Sequence, residues 1–154
     1  MSAAPDPPRK VDPARSAQMA LVKGKNTRPE LRVRRLAHRL GFRFRLHRRD
    51  LPGSPDLVFP GRRAVVFVHG CFWHRHPDPD CWRSRLPKTR PEFWVPKLEA
   101  NVARDAAARA ALEALGWRVL IAWECETTPR RIDALAGRLR DFLGRGGATD
   151  QPEA

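Results

Sequence analysis

A chain of 154 residues with a hydrophobic fraction of 42% fits one domain around a single core rather than several. Lys and Arg number 30 against 17 Asp and Glu, a formal charge of +13; self-repulsion of that size calls for a polyanionic partner, nucleic acid before an anionic membrane surface. No apolar run nears the ~20 residues that cross a bilayer, and no apolar signal segment follows Met1, so a cytoplasmic, nucleoid-associated protein without a membrane partner is expected.

In chain order, residues 1–14 are proline-rich, basic and aperiodic, the composition of a disordered arm. A short helix is expected over Ser16–Leu21. A longer one follows from Thr27 to Leu40: Thr27 and Glu30 have capping-box spacing, Pro29 suits the first turn, and Val33, Leu36, Ala37 and Leu40 share one face. Phe42, Phe44 and Leu46 alternate with Arg43, Arg45 and His47, which predicts a half-buried strand with a basic outer face. Leu51-Pro52-Gly53 turns the chain into a short strand, Asp56–Phe59, and Pro60-Gly61 turns it again into Ala64–Val68, apolar at every position as in a central strand. Gly70–Pro87 is irregular.

Pro91–Leu115 predicts a helix whose first turn is separate, kinked or non-helical because of Pro96. Trp117–Trp123 predicts a buried strand. Thr128 and Pro129 form an N-cap and N1 pair for a last helix with Ile132, Leu135, Leu139 and Phe142 inward. From about Gly144 a flexible tail is expected, which leaves 15–143 as the folded domain. Tight turns make the first three strands antiparallel neighbours, and the helical crossover allows the fourth to pair parallel. The fold class is α/β, a small mixed sheet flanked by helices.

Asp56, at a strand start just past a turn, is a hard-oxygen ligand suited to Mg²⁺. A Pro-Asp pair, a hairpin and a strand ending in Phe67-Val68-His69 match the layout of PD-(D/E)xK nucleases, with Phe67 at the usual acid position and His69 at the usual Lys position; a plain turn aspartate is the competing explanation. The run His69-Gly-Cys-Phe-Trp-His74-Arg-His76 is denser in chemistry than a solvated loop requires, and its histidines can act as general base or metal ligand. Lys97, Asn101 and Asp105 share one helical face, from which Asp105 can orient a histidine. The capping box accounts for Glu30, yet a first-helix carboxylate can also hold a metal-bound water.

Three cysteines are an odd set, which argues against a disulfide framework. Cys71, His76, Cys81 and Cys125 make a Cys₃His set of the kind that closes around structural Zn²⁺, with an Asp of Pro77–Asp80 as the competing fourth ligand. Phe72 and Trp73, on a loop of a basic protein, can insert between base steps, most cheaply at a mispair. Met19, near Lys23, Lys25 and Arg28, is a second candidate wedge.

The runs Leu51-Pro-Gly-Ser-Pro-Asp56, Val66–His76, Lys88-Thr-Arg, Glu92-Phe-Trp, Asn101–Asp105 and Gly116–Cys125 resemble the very-short-patch-repair (Vsr) DNA mismatch endonucleases, over about Ser16 to Leu143. The resemblance implies a PD-(D/E)xK restriction-endonuclease-like fold and a Mg²⁺-dependent nick 5′ to the thymine of a T:G mispair, the product of 5-methylcytosine deamination. It implies Asp56 and the Val68 carbonyl as Mg²⁺ ligands, His74 as general base and His69 as a contact to the scissile phosphate region. Glu30 would hold metal-bound water and Asp105 would support a histidine. Cys71, His76, Cys81 and Cys125 would hold zinc, although the spacing from His76 to Cys81 is longer than the family's. Phe72, Trp73 and Met19 would intercalate, and Lys23, Lys25, Arg28, Lys97 and Asn101 would hold the DNA backbone. Duplex DNA with a T:G mismatch is the expected partner of a monomer, with mismatch-repair proteins and a companion cytosine methyltransferase as further candidates. The competing functions are a zinc-stapled, non-catalytic DNA-binding module and a restriction-type endonuclease of the same fold.

Overall fold

The computed structural model describes residues 27–149, with side chains to residue 144. The arm over 1–14, the helix over Ser16–Leu21 and the candidate DNA contacts Met19, Lys23 and Lys25 lie outside the described residues.

Helix α1, Arg28–Arg39, starts where the cap signal places it: the Thr27 hydroxyl accepts from the Glu30 N–H, and Pro29 occupies the first turn. It buries Val33, Leu36 and Ala37. Strand β1, Arg45–Leu46, is shorter than the alternation of Phe42 to Leu46 predicts, and both its residues are exposed. Its partner β2, Leu57–Phe59, is bounded by Pro55-Asp56 and Pro60, so strand backbone runs out opposite Phe44 and there is none opposite Phe42. Those two rings still pack edge-on against Phe59, at 6.5 and 6.0 Å. The apolar half of the pattern thus reports packing where the ladder itself is missing.

β3, Ala64–His69, pairs antiparallel with β2 and parallel with β4, Arg118–Trp123, in the order β1-β2-β3-β4. Between β3 and β4 runs α2, Pro91–Ala114, the crossover that parallel pairing needs. It passes through Pro96 as one continuous helix. The bond that Pro96 cannot donate would have gone to Glu92, which is exposed, so water can satisfy that carbonyl. α3, Ile132–Thr149, starts three residues later than the Thr128-Pro129 signal places it. The Thr128 carbonyl accepts from Ile132, but its hydroxyl donates to the Cys125 carbonyl rather than capping a helix. The helix also extends past Gly144 to Thr149.

The period-2 alternation of the strands divides the core between two faces. Ala64 and Val66 of β3, with Leu57 and Phe59 of β2, meet α1 and the Leu135, Leu139 and Leu143 stripe of α3. Val65 of β3 and Val58 of β2 meet Leu112 of α2 and Trp117 on the other face. β3 outruns β2 by three residues at the His69 end, since Leu57, the first residue of β2, pairs with Val66. Asp56, Val68 and His69 gather at that overhang.

The turn over Leu51–Ser54 seats α2 on the sheet. Gly53 has φ +73, and a Cβ there would stand 2.7 Å from the Ala108 Cβ and 3.2 Å from the Phe67 ring. Gly53→Ala therefore combines left-handed strain with a clash and should lower stability by about 2–4 kcal/mol in urea unfolding. Gly41→Ala, at φ +91 with nothing within 4 Å, meets only the backbone strain and should lose about 1 kcal/mol. Equal losses at the two positions would mean that Gly53 does not set the approach of α2.

Candidate active site

β2 stops at Leu57: Pro55, which would stand opposite Val68, has no N–H to offer the Val68 carbonyl, and the ladder ends before the Val68 N–H meets a strand partner on that side. The Asp56 side chain takes its place: Oδ2 accepts from Val68 N–H at 2.7 Å. In an extended strand a residue's N–H and C=O point to the same edge, so the Val68 carbonyl also faces the Asp56 side. Burial raises the Asp56 carboxyl to about 6, partly opposed by the Val68 N–H.

His69, the last residue of β3, lies on the α2 face and is 5% exposed. After Gly70 the chain turns back, with His74 N–H bonded to the Gly70 carbonyl, and lays the His74 ring flat on His69 at 3.9 Å between centroids. His74 Nδ1 lies 2.6 Å from Asp105 Oδ2 of α2. A carboxylate there favours the proton on Nδ1 and leaves Nε2 free to accept one. Burial, with a smaller contribution from His74, lowers His69 to about 4, so His69 stays neutral at physiological pH. Its buried Nδ1 has no hydrogen-bond partner among the described residues. The spacing of Asn101 and Asp105 holds on the helix: both line the cleft, and Asn101 Nδ2 donates to the Trp73 carbonyl at 3.0 Å, pinning the turn that carries His74.

These residues line one open cleft of about 700 Å³, shared by Glu30, Asp56, Val68, His69, His74 and Asp105, with Arg28 and Trp73 at its margins. Glu30 is buried, and its carboxylate meets Arg34 at 2.6 Å and His47 Nε2. His47 is the site residue that the sequence reasoning missed. Alternation grouped it with Arg43 and Arg45 on the solvent face, but β1 ends at Leu46 and His47 takes φ 45, which redirects its side chain. A polar residue just past the end of a strand, where alternation stops applying, was the available signal.

Phe72, Trp73 and Trp94 form a half-buried edge-to-face cluster with centroids 5.1–5.9 Å apart, bordered by the more exposed Phe93. Lys97 is not in the cleft lining; its ammonium sits 5.7 Å over Trp73 and 5.5 Å over Phe93. Behind the histidines, Cys71, His76, Cys81 and Cys125 bring their ligand atoms within 4.8 Å of one another. The longer interval before Cys81 is taken up by the turn over 77–80, and it is Cys81 rather than an Asp that joins the group. Burial pushes the Cys71 and Cys125 thiols up, so the bare thiolates are disfavoured there. Three buried thiols facing one imidazole are soft donors in a closed tetrahedral set, and they could hold zinc.

The sequence model of the Vsr family, described as DNA mismatch endonuclease Vsr, matches residues 10–82. The chain is 41% identical over 140 residues to DNA mismatch endonuclease Vsr of Escherichia coli K12, an alignment covering 89% of this chain and 88% of that one. The chain belongs to the Vsr family of DNA mismatch endonucleases. It is 57% identical over 125 residues to the type II nicking enzyme V.XorIIP of Xanthomonas oryzae pv. oryzae, covering 81% and 88% of the two chains. Among solved structures, the catalytic domain of the homing endonuclease I-Bth0305I superposes with a TM-score of 0.54 at 19% identity, over 79% of this chain and 98% of that one, a likeness of fold. The Vsr-family chain is thus a DNA endonuclease with a restriction-endonuclease-like fold. Among the described residues no helix is long and apolar enough to cross a membrane.

Asn101→Ala removes the amide that holds the Trp73 carbonyl without touching His74 or Asp105. It should speed backbone amide exchange over residues 72–75 several-fold and leave β3 unchanged; unchanged exchange in that turn would remove Asn101 from this positioning role.

Proposed function

We propose that this endonuclease nicks duplex DNA on the 5′ side of the thymine in a T:G mispair, using Mg²⁺ at Asp56 and the Val68 carbonyl and structural Zn²⁺ in the Cys₃His cluster. One observation carries the reading: the Asp56 carboxylate, the overhanging edge of Val68 and the His69–His74 stack face the same cleft in a Vsr-family chain. The oxygen donors at Asp56, Val68 and Glu30 fit Mg²⁺, which prefers hard ligands and few of them. Bound Mg²⁺ would supply positive charge at the scissile phosphate and the leaving 3′ oxygen.

The protein's own groups do the rest. His74, with its Nδ1 on Asp105, takes a proton from the attacking water at Nε2. His69, neutral and stacked beneath it, holds the second imidazole plane toward the phosphate and keeps water from that side of His74. Glu30 orients water beside Asp56. Phe72 and Trp73, backed by Trp94, enter the stack at the mispair, where unstacking costs least. Met19 is assigned the opposite groove. Arg28, with Lys23, Lys25, Lys97 and Asn101, holds phosphates, and the protein acts as a monomer. Mismatch-repair proteins and a cytosine methyltransferase that creates the deaminating base are its proposed partners. Nicking is also the activity named for V.XorIIP.

The deciding experiment uses a T:G oligonucleotide, its matched T:A counterpart and Mg²⁺. Only the thymine strand of the mispair should be cut. Asp56→Ala should lower nicking at least ~10³-fold while mobility-shift binding persists. His74→Ala should lose about 10²–10⁴-fold, and Asp105→Asn about 10–100-fold. Equal cutting of both strands of matched DNA would replace mismatch repair with restriction, and binding without any cut would leave only a DNA-binding module.

For the cluster, the purified chain should carry one zinc per molecule by elemental analysis. Cys125→Ser should lose it and lower the melting temperature by more than 5 °C, since the cluster ties the 70–81 loop to the end of β4. A zinc-free wild type of unchanged stability would refute the zinc assignment.

A further inference from the structure

His47 has no part in the chemistry described above, yet it sits against both carboxylates of the cation site. Its backbone N–H donates to the Asp56 carbonyl at 3.3 Å, and its side chain is only 13% exposed. Nε2 contacts Glu30 Oε1 and lies 3.9 Å from Asp56 Oδ1. Because Asp56 Oδ2 is held by the Val68 N–H, Oδ1 is the oxygen left for the imidazole side. The donor atoms of Glu30, His47 and Asp56 all lie within 4.8 Å of one another, the spread that ligands on one side of a single ion require. Arg34, bonded to Glu30 at 2.6 Å, compensates part of the charge of the two carboxylates.

We propose that His47 Nε2 is a protein ligand of the divalent ion at Asp56, and that Glu30 joins it there directly rather than through water alone, so that the site takes nitrogen-accepting ions such as Mn²⁺ and Co²⁺ more tightly than Mg²⁺. Mg²⁺ is a hard ion that favours oxygen and water, and an imidazole adds little to its binding. Mn²⁺ and Co²⁺ gain from a nitrogen donor, Co²⁺ the more, in the usual order of divalent stabilities. Two carboxylates and one imidazole would hold the ion beside the Val68 carbonyl, and further positions would be left to water and a phosphate oxygen. The ion would take the place of the present His47–Glu30 contact, with both donors retained around it.

The inference rests on the proposed cation site at Asp56, and its test separates the two. The zinc-loaded full chain, with zinc content verified, is titrated with Mn²⁺ and followed by electron paramagnetic resonance. Spin-echo modulation detects directly bound ¹⁴N. Wild type should show that nitrogen coupling. His47→Gln should abolish it and weaken Mn²⁺ about tenfold or more, with a clearly smaller change for Mg²⁺ measured by competition. His47→Ala, checked for its melting temperature, gives the same readout if the Gln variant folds poorly. Asp56→Asn should remove Mn²⁺ binding altogether. Coupling that persists in both His47 variants, no coupling in wild type, or equal weakening of Mn²⁺ and Mg²⁺ would each overturn the role of His47. Mn²⁺ binding that survives in Asp56→Asn would instead overturn the Asp56 site beneath it.

Discussion

The parallel pairing of β3 with β4 continues through His69 opposite Trp123, three residues after β2 has ended. That mismatch in strand length is the constraint on which the site depends. On the β2 side it leaves the Val68 N–H for Asp56. On the α2 face it ends β3 with His69, ready to receive His74. On the β4 side it brings the chain after His69 alongside the chain after Trp123, so Cys71 and Cys125 meet. A longer β2 would satisfy the Val68 N–H with backbone and leave Asp56 unanchored.

Trp123 links the resulting centres. Its ring stands edge-on to His69 at 5.3 Å and stacks on His76 at 4.4 Å, with the cysteine cluster packed against it. Loss of order in the cluster would therefore reach the His69–His74 stack through one rigid side chain. The loop of 70–76 has little regular secondary structure to hold it. It is held by contacts at both ends, through the cysteine cluster and through Asn101 and Asp105 of α2. Precision in a loop comes here from side chains locked against neighbouring elements.

Burial sets the electrostatics. Asp56 is pushed toward its neutral form and His69 is kept neutral, each by desolvation before any charge acts. A cation at Asp56 would offset that penalty, as would a phosphate backbone arriving with its own counter-charges. The +13 of the chain draws in the polyanion, and buried carboxylates beside it suit a cation that would offset their desolvation.

Local signals determined a good deal of this. Thr27 and Pro29 specified the start of α1, the apolar run from Ala64 specified a central strand, and turn residues around it specified antiparallel neighbours. The density of His, Cys and Trp between 69 and 76 marked the site, and the i, i+4 spacing of Asn101 and Asp105 marked the helix face that meets it. Such features depend on backbone periodicity and on residue chemistry, both of which act over a few positions. Tertiary structure alone decided that β1 would shrink to two residues, that α2 would run through Pro96, and that His47 would face Glu30 and Asp56. Each of these is settled by what another segment offers across space, a missing strand partner, an exposed carbonyl or a carboxylate from a distant helix. No spacing within the chain encodes that.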